Sequence, residues 1–184
     1  MLIYSMSLSA DGYINDRDGK IDWTAPSDEL FAFHLARVRE LGLHLSGRRL
    51  YETMLPWEHD ASMRDNPDTN EFADVWTALP KVVFSRTLTR VQGNARLAEG
   101  TVAEEVARAL DSTDKDVEIG GAALAAEAVE LDLIDEYRLF RGPVILGGGT
   151  PFFPPLQDKL ELELVEIRTF APQTIYERYR RVGR

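Results

Sequence analysis

Val117-Glu118-Ile119-Gly120-Gly121-Ala122-Ala123-Leu124 is the most informative stretch of this sequence, because a short apolar run breaks at two glycines and continues as an alanine-rich segment. The pattern predicts a strand, a tight turn and a helix that begins near Ala122. Glycines let the backbone approach a ligand closely, and the first turn of a helix offers unpaired N–H groups and a partial positive charge to a phosphate. The same two glycines also fit a purely steric solution to a sharp turn. The binding interpretation therefore depends on the rest of the chain.

Two other predicted strands end in junctions of the same kind. The apolar run Leu43-His44-Leu45-Ser46 leads into Gly47-Arg48-Arg49-Leu50, and Lys81-Val82-Val83-Phe84 leads into Ser85-Arg86-Thr87. In open α/β sheets, ligands bind beyond the carboxyl ends of the strands. A dinucleotide suits such a set, since its pyrophosphate takes backbone N–H groups and an additional ribose phosphate takes guanidinium and hydroxyl donors. The alternative is that these arginines are ordinary solvated surface residues.

The composition fits one compact domain over residues 1–184, with 44% hydrophobic and 28% charged residues. The 21 basic and 31 acidic side chains give a net charge of −10, which offers nucleic acid or an anionic membrane no general attraction. The absence of cysteine excludes disulfides and thiolate metal sites. His34, His44 and His59 lack the spacing of metal ligands, so no metal site is expected. Without a long apolar run or a signal-peptide pattern, the sequence predicts a cytoplasmic protein with no membrane partner.

Strands alternate with helices along most of the chain. Leu2–Leu8 has a strand composition, and the long loop over residues 10–26 that follows is either a ligand flap or a plain surface excursion. Ser27 is placed to cap a helix that ends near Gly42, and Thr101 begins the spacing of a capping box. Trp57 and Trp76 are expected to pack in the core rather than to stack on a ligand.

Only strands are expected after residue 140. Residues 160–170 alternate apolar and polar side chains, but the apolar phase shifts by one residue at Val165, which predicts a β-bulge or a strand buried on both faces. Residues 174–182 read as the second arm of an antiparallel hairpin. The sequence thus predicts a three-layer α/β fold, with a central mixed, mostly parallel sheet, helices on both faces and an antiparallel C-terminal hairpin.

The order of these motifs resembles that of the dihydrofolate reductase-like superfamily. The motifs are the first strand with its Ala10-Asp11-Gly12 loop, the three junctions and the C-terminal strand pair. Pro143-Val144-Ile145-Leu146-Gly147-Gly148-Gly149-Thr150-Pro151-Phe152-Phe153 is typical of one branch, the single-domain relatives of the reductase domain of the bifunctional riboflavin-biosynthesis deaminase-reductase. The resemblance covers nearly the whole chain. The deaminase activity of the bifunctional enzyme is not expected, because its zinc site needs cysteines.

The resemblance implies an NADPH-dependent reductase, acting as a homodimer, that passes hydride to a ribosylaminopyrimidine or to a dihydrofolate-like pteridine. The residues that would then contact the cofactor come from the three junctions and the first loop: Ala10, Gly47, Arg48, Arg49, Leu50, Ser85, Arg86, Thr87, Gly120, Gly121, Ala122, Ala123 and Leu124. Leu50 replaces a threonine common in dihydrofolate reductases, so one hydroxyl contact to phosphate is missing. Ala122 stands where those enzymes often carry a further glycine.

The catalytic prediction concerns Asp28. Trp23-Thr24-Ala25-Pro26-Ser27-Asp28 resembles the dihydrofolate reductase segment in which a tryptophan precedes the carboxylate that binds the pterin edge. Burial would raise the pKa of such a carboxyl toward the working range, whereas the alternative is that Asp28 only complements the dipole of its helix. The expected substrate contacts are Trp23, Asp28, Phe31 and Gly147. A non-catalytic nucleotide-binding or sensing module is the alternative function.

Overall fold

The computed structural model describes residues 1–183, and its centre is an eight-stranded sheet. The strands are β1 (Leu2–Leu8), β2 (Tyr13–Asn15), β3 (Leu41–Gly47), β4 (Lys81–Phe84), β5 (Ala95–Leu97), β6 (Asp116–Gly120), β7 (Glu136–Arg141), β8 (Thr150–Pro151), β9 (Leu162–Phe170) and β10 (Thr174–Arg181). The helices are α1 (Asp28–Arg39), α2 (Arg48–Met54), α3 (Pro56–His59), α4 (Pro67–Ala78), α5 (Val102–Asp111) and α6 (Ala122–Glu130).

The order of strands in the large sheet is β5-β4-β3-β6-β1-β7-β10-β9, and β2 pairs separately with β8. The strands from β5 to β7 are parallel to one another, whereas β10 is antiparallel to both β7 and β9. The predicted α/β fold, with its mostly parallel sheet and antiparallel C-terminal hairpin, is confirmed. Because the central strands are parallel, their carboxyl ends lie along one edge of the sheet.

Each face of the sheet carries its own apolar core. On one face, side chains such as Tyr4 and Ile119 pack against α5 and α6. On the other face, α1 and α4 contribute to an aromatic cluster around Trp76, with Trp57 packed at its side. A smaller cluster joins Leu30 of α1 to the C-terminal strands. The prediction that both tryptophans serve packing is confirmed.

Both predicted helix caps are present. The Ser27 hydroxyl accepts a hydrogen bond from the backbone N–H of Leu30 at 3.3 Å. Thr101 and Glu104 form a reciprocal capping box at the start of α5. These contacts satisfy backbone donors that the first turn of a helix leaves free.

Some element boundaries differ from the predictions. α4 begins at Pro67, where Asn66 and Thr69 form a capping box without the usual glutamate, a start that was not predicted. α1 ends at Arg39, since residues from Leu41 onward already belong to β3. The short edge strand β5 was not predicted, because three residues carry no usable periodicity. Within residues 1–183, no helix combines the length and apolar character needed to cross a membrane.

The phase shift at Val165 is a β-bulge. The register between β9 and β10 runs from Glu166 opposite Arg178 directly to Leu164 opposite Tyr179, so Val165 has no partner. The extra residue turns Leu164 and Ile167 to the same face of the hairpin, although they are three positions apart. The predicted bulge is confirmed, and it places both apolar side chains on one face of the hairpin.

Glu105 is the main buried charge of α5. Its carboxylate accepts hydrogen bonds from Arg96 at 2.6 Å, from Arg108 at 3.0 Å, and from the backbone N–H groups of Glu99 and Gly100. The hydrogen bond from Arg96 is the largest cause that lowers the pKa of Glu105 to about 2, against the opposing effect of burial. A single carboxylate therefore anchors the edge of the sheet to α5.

We predict that Glu105→Ala lowers the free energy of unfolding by about 3 kcal/mol, because buried donors lose their acceptor. Urea denaturation followed by circular dichroism measures the change, with Glu127→Ala on the exposed face of α6 as the matched control. Because the pKa of Glu105 is depressed in the folded protein, this stabilisation is complete above a pH of about 4.3 and is lost as the pH falls toward 2. A difference between wild type and variant that is independent of pH would contradict the assignment.

Candidate functional site

The three strand-to-helix or strand-to-loop junctions meet at one edge of the sheet. β4, β3 and β6 are adjacent, with Gly47 in register with Phe84 and Ser46 in register with Gly120. The backbone therefore leaves all three strands at the same level. The sequence-based expectation that these segments converge agrees with this geometry.

The glycines at this edge allow two chain segments to touch. A Cβ atom on Gly121 would lie 3.5 Å from both the N and Cα atoms of Gly47. Gly121 also has a φ of +97°, a conformation that side chains other than glycine rarely adopt. A side chain on Gly120 would collide with Leu50 and lie 3.1 Å from the His44 ring. The side chains packed against Gly120 and the positive φ of Gly121 thus account for both glycines of the central motif.

The start of α6 leaves its N–H groups open to a ligand. Gly121 is the N-cap residue and provides no side-chain cap. Ala122 and Leu124 bury their side chains in the core, so only their backbone could face a ligand, whereas Ala123 is exposed. The junction therefore offers main-chain donors rather than side-chain specificity.

The predicted phosphate-binding side chains lie on the surface around this edge. Arg48 forms an ion pair with Glu52 at 2.9 Å, in which both side chains are 41% exposed. Arg49 and Arg86 are exposed. The Ser85 hydroxyl accepts hydrogen bonds from the backbone N–H groups of Thr87 and Leu88, which fixes the turn after β4. An exposed ion pair contributes less than about 1 kcal/mol, so Arg48 can exchange Glu52 for a phosphate at little cost.

A gap in the sheet opens beside the central glycines. The register of β1 with β6 ends at Tyr4 opposite Ile119, whereas β1 continues to Leu8 along β7. Residues 5–7 are only half-buried, although they belong to a central strand. The carboxyl half of β1 therefore forms one wall of a cleft whose other wall is the Gly120-Gly121 turn.

Asp11 attaches the first loop to the segment after β7. Its carboxylate accepts hydrogen bonds from the Ser9 hydroxyl at 2.6 Å and from the backbone N–H groups of Leu146 and Gly147 at 3.1 and 2.8 Å. These bonds, that from Ser9 first, lower the pKa of Asp11 to about 2. Ala10 adds a backbone bond from its N–H to the carbonyl of Val144 at 2.7 Å. The predicted flap and the predicted Gly147 contact are thus parts of one loop assembly.

The expected substrate residues have different surroundings. Asp28 is exposed as the first residue of α1, where a carboxylate also complements the dipole of the helix, the alternative that the sequence left open. The Phe31 ring packs against Trp57 and Phe72, with centroid separations of 5.7 and 5.3 Å. Trp23 packs near Gly142, and its indole N–H is buried without a hydrogen-bond partner within residues 1–183. Trp23 therefore offers a free buried donor.

A polar group beneath α1 was not predicted from the sequence. The His44 Nδ1 atom lies 2.7 Å from the Ser46 hydroxyl, and its Nε2 atom lies 3.7 Å from the Glu118 carboxylate. His34 of α1 interacts electrostatically with the same carboxylate. Polar residues at alternate positions of short apolar strands were the available signal, but strand pairing was needed to bring His44 and Glu118 together.

Two surface cavities lie outside this cleft. One of about 500 Å³ is at the opposite edge of the sheet and is lined by residues such as Val38, Leu41 and Lys115. Another of about 300 Å³ lies between α2 and the turn after β4, where it borders Thr87. The candidate site is therefore identified by its converging elements rather than by the size of a cavity.

Comparison with known proteins places this arrangement in a family of reductase-like domains. The family description of the RibD C-terminal domain matches residues 1–176, and the chain belongs to that family. The chain is 29% identical over 175 residues to the uncharacterized protein YyaP of Bacillus subtilis (strain 168), covering 92% of this chain and 89% of YyaP.

Two solved structures have the same fold. A protein of Shewanella sp. PV-4 provisionally assigned to riboflavin biosynthesis is 26% identical, with a TM-score of 0.78 and 98% of each chain covered. Dihydrofolate reductase of Enterococcus faecalis, solved as a complex with NADP(H), is 19% identical, with a TM-score of 0.65 and 100% of this chain and 97% of that chain covered. The fold is that of the dihydrofolate reductase-like superfamily, as the sequence motifs predicted.

We predict that Asp11→Ala speeds amide hydrogen exchange of Leu146 and Gly147 by about tenfold or more, because each N–H loses a charged acceptor. Exchange followed by mass spectrometry or NMR measures the effect, and Asp18→Ala in the same loop is the control. Because the pKa of Asp11 is depressed, the wild type should approach the variant only as the pH falls from about 4 toward 2. Equal exchange in the two proteins at neutral pH would show that the carboxylate does not hold the loop.

Proposed function

We propose that this protein is an NADPH-dependent reductase of a small heterocyclic substrate. The observation that carries the proposal is the convergence of three junctions beside the gap between β1 and β6. Membership of the RibD C-terminal domain family and the fold shared with an NADP(H)-bound dihydrofolate reductase support it. The fit to a dinucleotide rests on the start of α6, which has no side-chain cap, and on the exposed arginines Arg48, Arg49 and Arg86 around the same edge.

The proposed cofactor contacts divide into two groups. The backbone at Gly47 and from Gly120 to Ala122 would hold the pyrophosphate, with the N–H groups of α6 as donors. Arg48, Ser85 and Arg86 would hold the phosphate on the adenosine ribose, aided by the neighbouring Arg49 and Thr87. When bound, NADPH supplies the hydride. The loop from Ala10 would cover the gap and exclude water, while α1 and Trp23 position the substrate.

The proposed substrate is either a ribosylaminopyrimidine or a dihydrofolate-like pteridine. Family membership favours the pyrimidine, as in 5-amino-6-(5-phosphoribosylamino)uracil reduction in riboflavin biosynthesis. Both rings carry carbonyl groups that could accept a hydrogen bond from the buried Trp23 N–H. Asp28 stays a candidate catalytic carboxylate by its resemblance, and it is exposed at the start of α1. Loss of turnover in Asp28→Asn, with cofactor affinity retained, is the result expected of that role.

We predict that the protein binds NADPH more tightly than NADH. Arg48→Ala and Arg86→Ala should each lower the affinity for NADPH by about tenfold and change the affinity for NADH little. Parallel fluorescence titrations measure both affinities. Arg39→Ala is the matched control, because Arg39 also forms an exposed ion pair but lies at the opposite edge of the sheet. Equal losses of affinity for the two cofactors would show that these arginines do not bind the phosphate on the adenosine ribose of NADPH. Binding of neither cofactor to the wild type would favour a module that keeps the fold without the reaction.

We further propose that the protein forms a homodimer through the exposed face of the C-terminal hairpin. Leu164, Ile167 and Ile175 share that face and are 52, 59 and 36% exposed. β9 is also the edge strand of the sheet. An apolar face on an edge strand favours association, and a second copy would bury it.

We predict that light scattering after size-exclusion chromatography gives about twice the 20.8 kDa chain mass for the wild type. Ile167→Lys should shift the protein toward the monomer, because it places a charge in the proposed interface. Ile145→Lys is the control, since Ile145 is 78% exposed in a loop outside the hairpin. A monomeric wild type, or equal behaviour of the two variants, would contradict this interface.

A further inference from the structure

A polar cluster lies between α1 and the centre of the sheet, and we define it as the His–Glu cluster: His34, His44, Ser46 and Glu118. His44 is held from one side by Ser46, with 2.7 Å between Nδ1 and the hydroxyl oxygen. On its other side, Nε2 lies 3.7 Å from a carboxylate oxygen of Glu118. The cluster is separate from the arginines and glycines that the cofactor proposal uses.

The His–Glu cluster borders the cleft. Glu118 precedes Gly120 by two residues on β6, so its Cα atom lies about 6.6 Å from the junction on the same face of the strand. The Cε1 atom of His44 lies 3.1 Å from the position that a Cβ on Gly120 would occupy. The side chain of His44 is 3% exposed, whereas that of Glu118 is 17% exposed. The carboxylate is therefore the more exposed member of the pair.

Packing alone does not account for a carboxylate at this position. Val117 and Ile119, its neighbours on β6, are fully buried on the opposite face, and Ile3 beside it on β1 is also fully buried. The 3.7 Å separation from His44 exceeds the range of a hydrogen bond, and within residues 1–183 no hydrogen bond to the Glu118 carboxylate is found. A partly buried carboxylate without a close donor costs free energy.

His34 adds little positive charge beside Glu118. The titratable groups that face it are His34 from α1 and His44 from β3, while α4 contributes the Trp76 ring against His44. Burial lowers the pKa of His34 to about 4, against the opposing effect of Glu118. His34 is thus neutral at pH 7 and can exchange a hydrogen bond with the carboxyl group without a second charge.

We propose that Glu118 is a catalytic residue of the proposed reductase, the group that gives a proton to the substrate as the carbon accepts hydride. The proposal rests on the proposed function. Hydride adds to the carbon of a C=N or C=O bond, the π electron pair moves to the heteroatom, and that atom takes the proton from the Glu118 carboxyl group. The resulting carboxylate takes a proton from water. His44, fixed by Ser46, and His34 are positioning residues that hold the carboxyl group toward the cleft.

The test compares Glu118→Gln and His44→Gln with Glu127→Gln, an exposed residue of α6. NADPH affinity is measured by fluorescence, and turnover is measured with 7,8-dihydrofolate and 5-amino-6-(5-phosphoribosylamino)uracil. Glu118→Gln should keep NADPH affinity within about twofold and lower kcat by about 100-fold. In wild type, kcat should fall as the pH rises through the titration of the carboxyl group. Glu118→Gln should remove this limb of the pH profile, and His44→Gln should move its midpoint.

The outcomes separate this proposal from the proposed function. Normal turnover by a folded Glu118→Gln variant would overturn the role of Glu118 and leave the reductase standing. If the fall of kcat with pH has the same midpoint in His44→Gln as in wild type, the positioning role of His44 is overturned. Failure of the wild type to bind NADPH would overturn the reductase itself, and the role of Glu118 with it.

If the wild type binds NADPH but reduces neither probe, carbon-13 NMR of the side-chain carboxyl groups decides. NADPH should then move the titration midpoint of Glu118 by about one pH unit and leave that of Glu127 in place, because only Glu118 borders the cleft. An unchanged midpoint of Glu118 would overturn the proposal.

Discussion

The contact between Gly47 and Gly121 is the constraint on which the site depends. The parallel register brings the ends of β3 and β6 level, and the two turns lie in van der Waals contact with each other. Gly121 is required for its positive φ, which redirects the chain from β6 into α6. Without this contact the helices could still form, but their starting points would not meet at one edge of the sheet.

The same register creates the gap that makes the edge useful. β6 ends at Gly120, whereas β1 runs on along β7, so the sheet separates where the glycines turn away. One edge thus combines main-chain donors, exposed arginines and an opening toward the face covered by α1. Glu118 lies two residues before Gly120 on the same strand. Binding and proton transfer would therefore use neighbouring positions of a single strand.

Local patterns predicted the parts of the structure that depend on local physics. The Thr101 capping box, the Ser27 cap and the bulge at Val165 each follow from a few adjacent residues, and all are present. The convergence of the junctions followed from the general geometry of parallel sheets. The exposure of Asp28 could not be read in this way, because a helix N-terminus has the same sequence pattern whether it faces solvent or a cleft. His44 and Glu118 are far apart in the chain, and only the pairing of β3 with β6 brings them together.

The attachment of the first loop to the segment after β7 has a consequence for motion. Asp11 and Ala10 bind backbone atoms of residues 144–147, and Arg17 donates a hydrogen bond to the Gly147 carbonyl at 2.6 Å. The two segments therefore move as one body, and ordering them over a bound molecule costs less conformational entropy than ordering two independent loops. Entry and release then depend on hinges at the ends of that body, at the carboxyl ends of β1 and β7. The rate of opening is in this way coupled to the same strands that form the wall of the cleft.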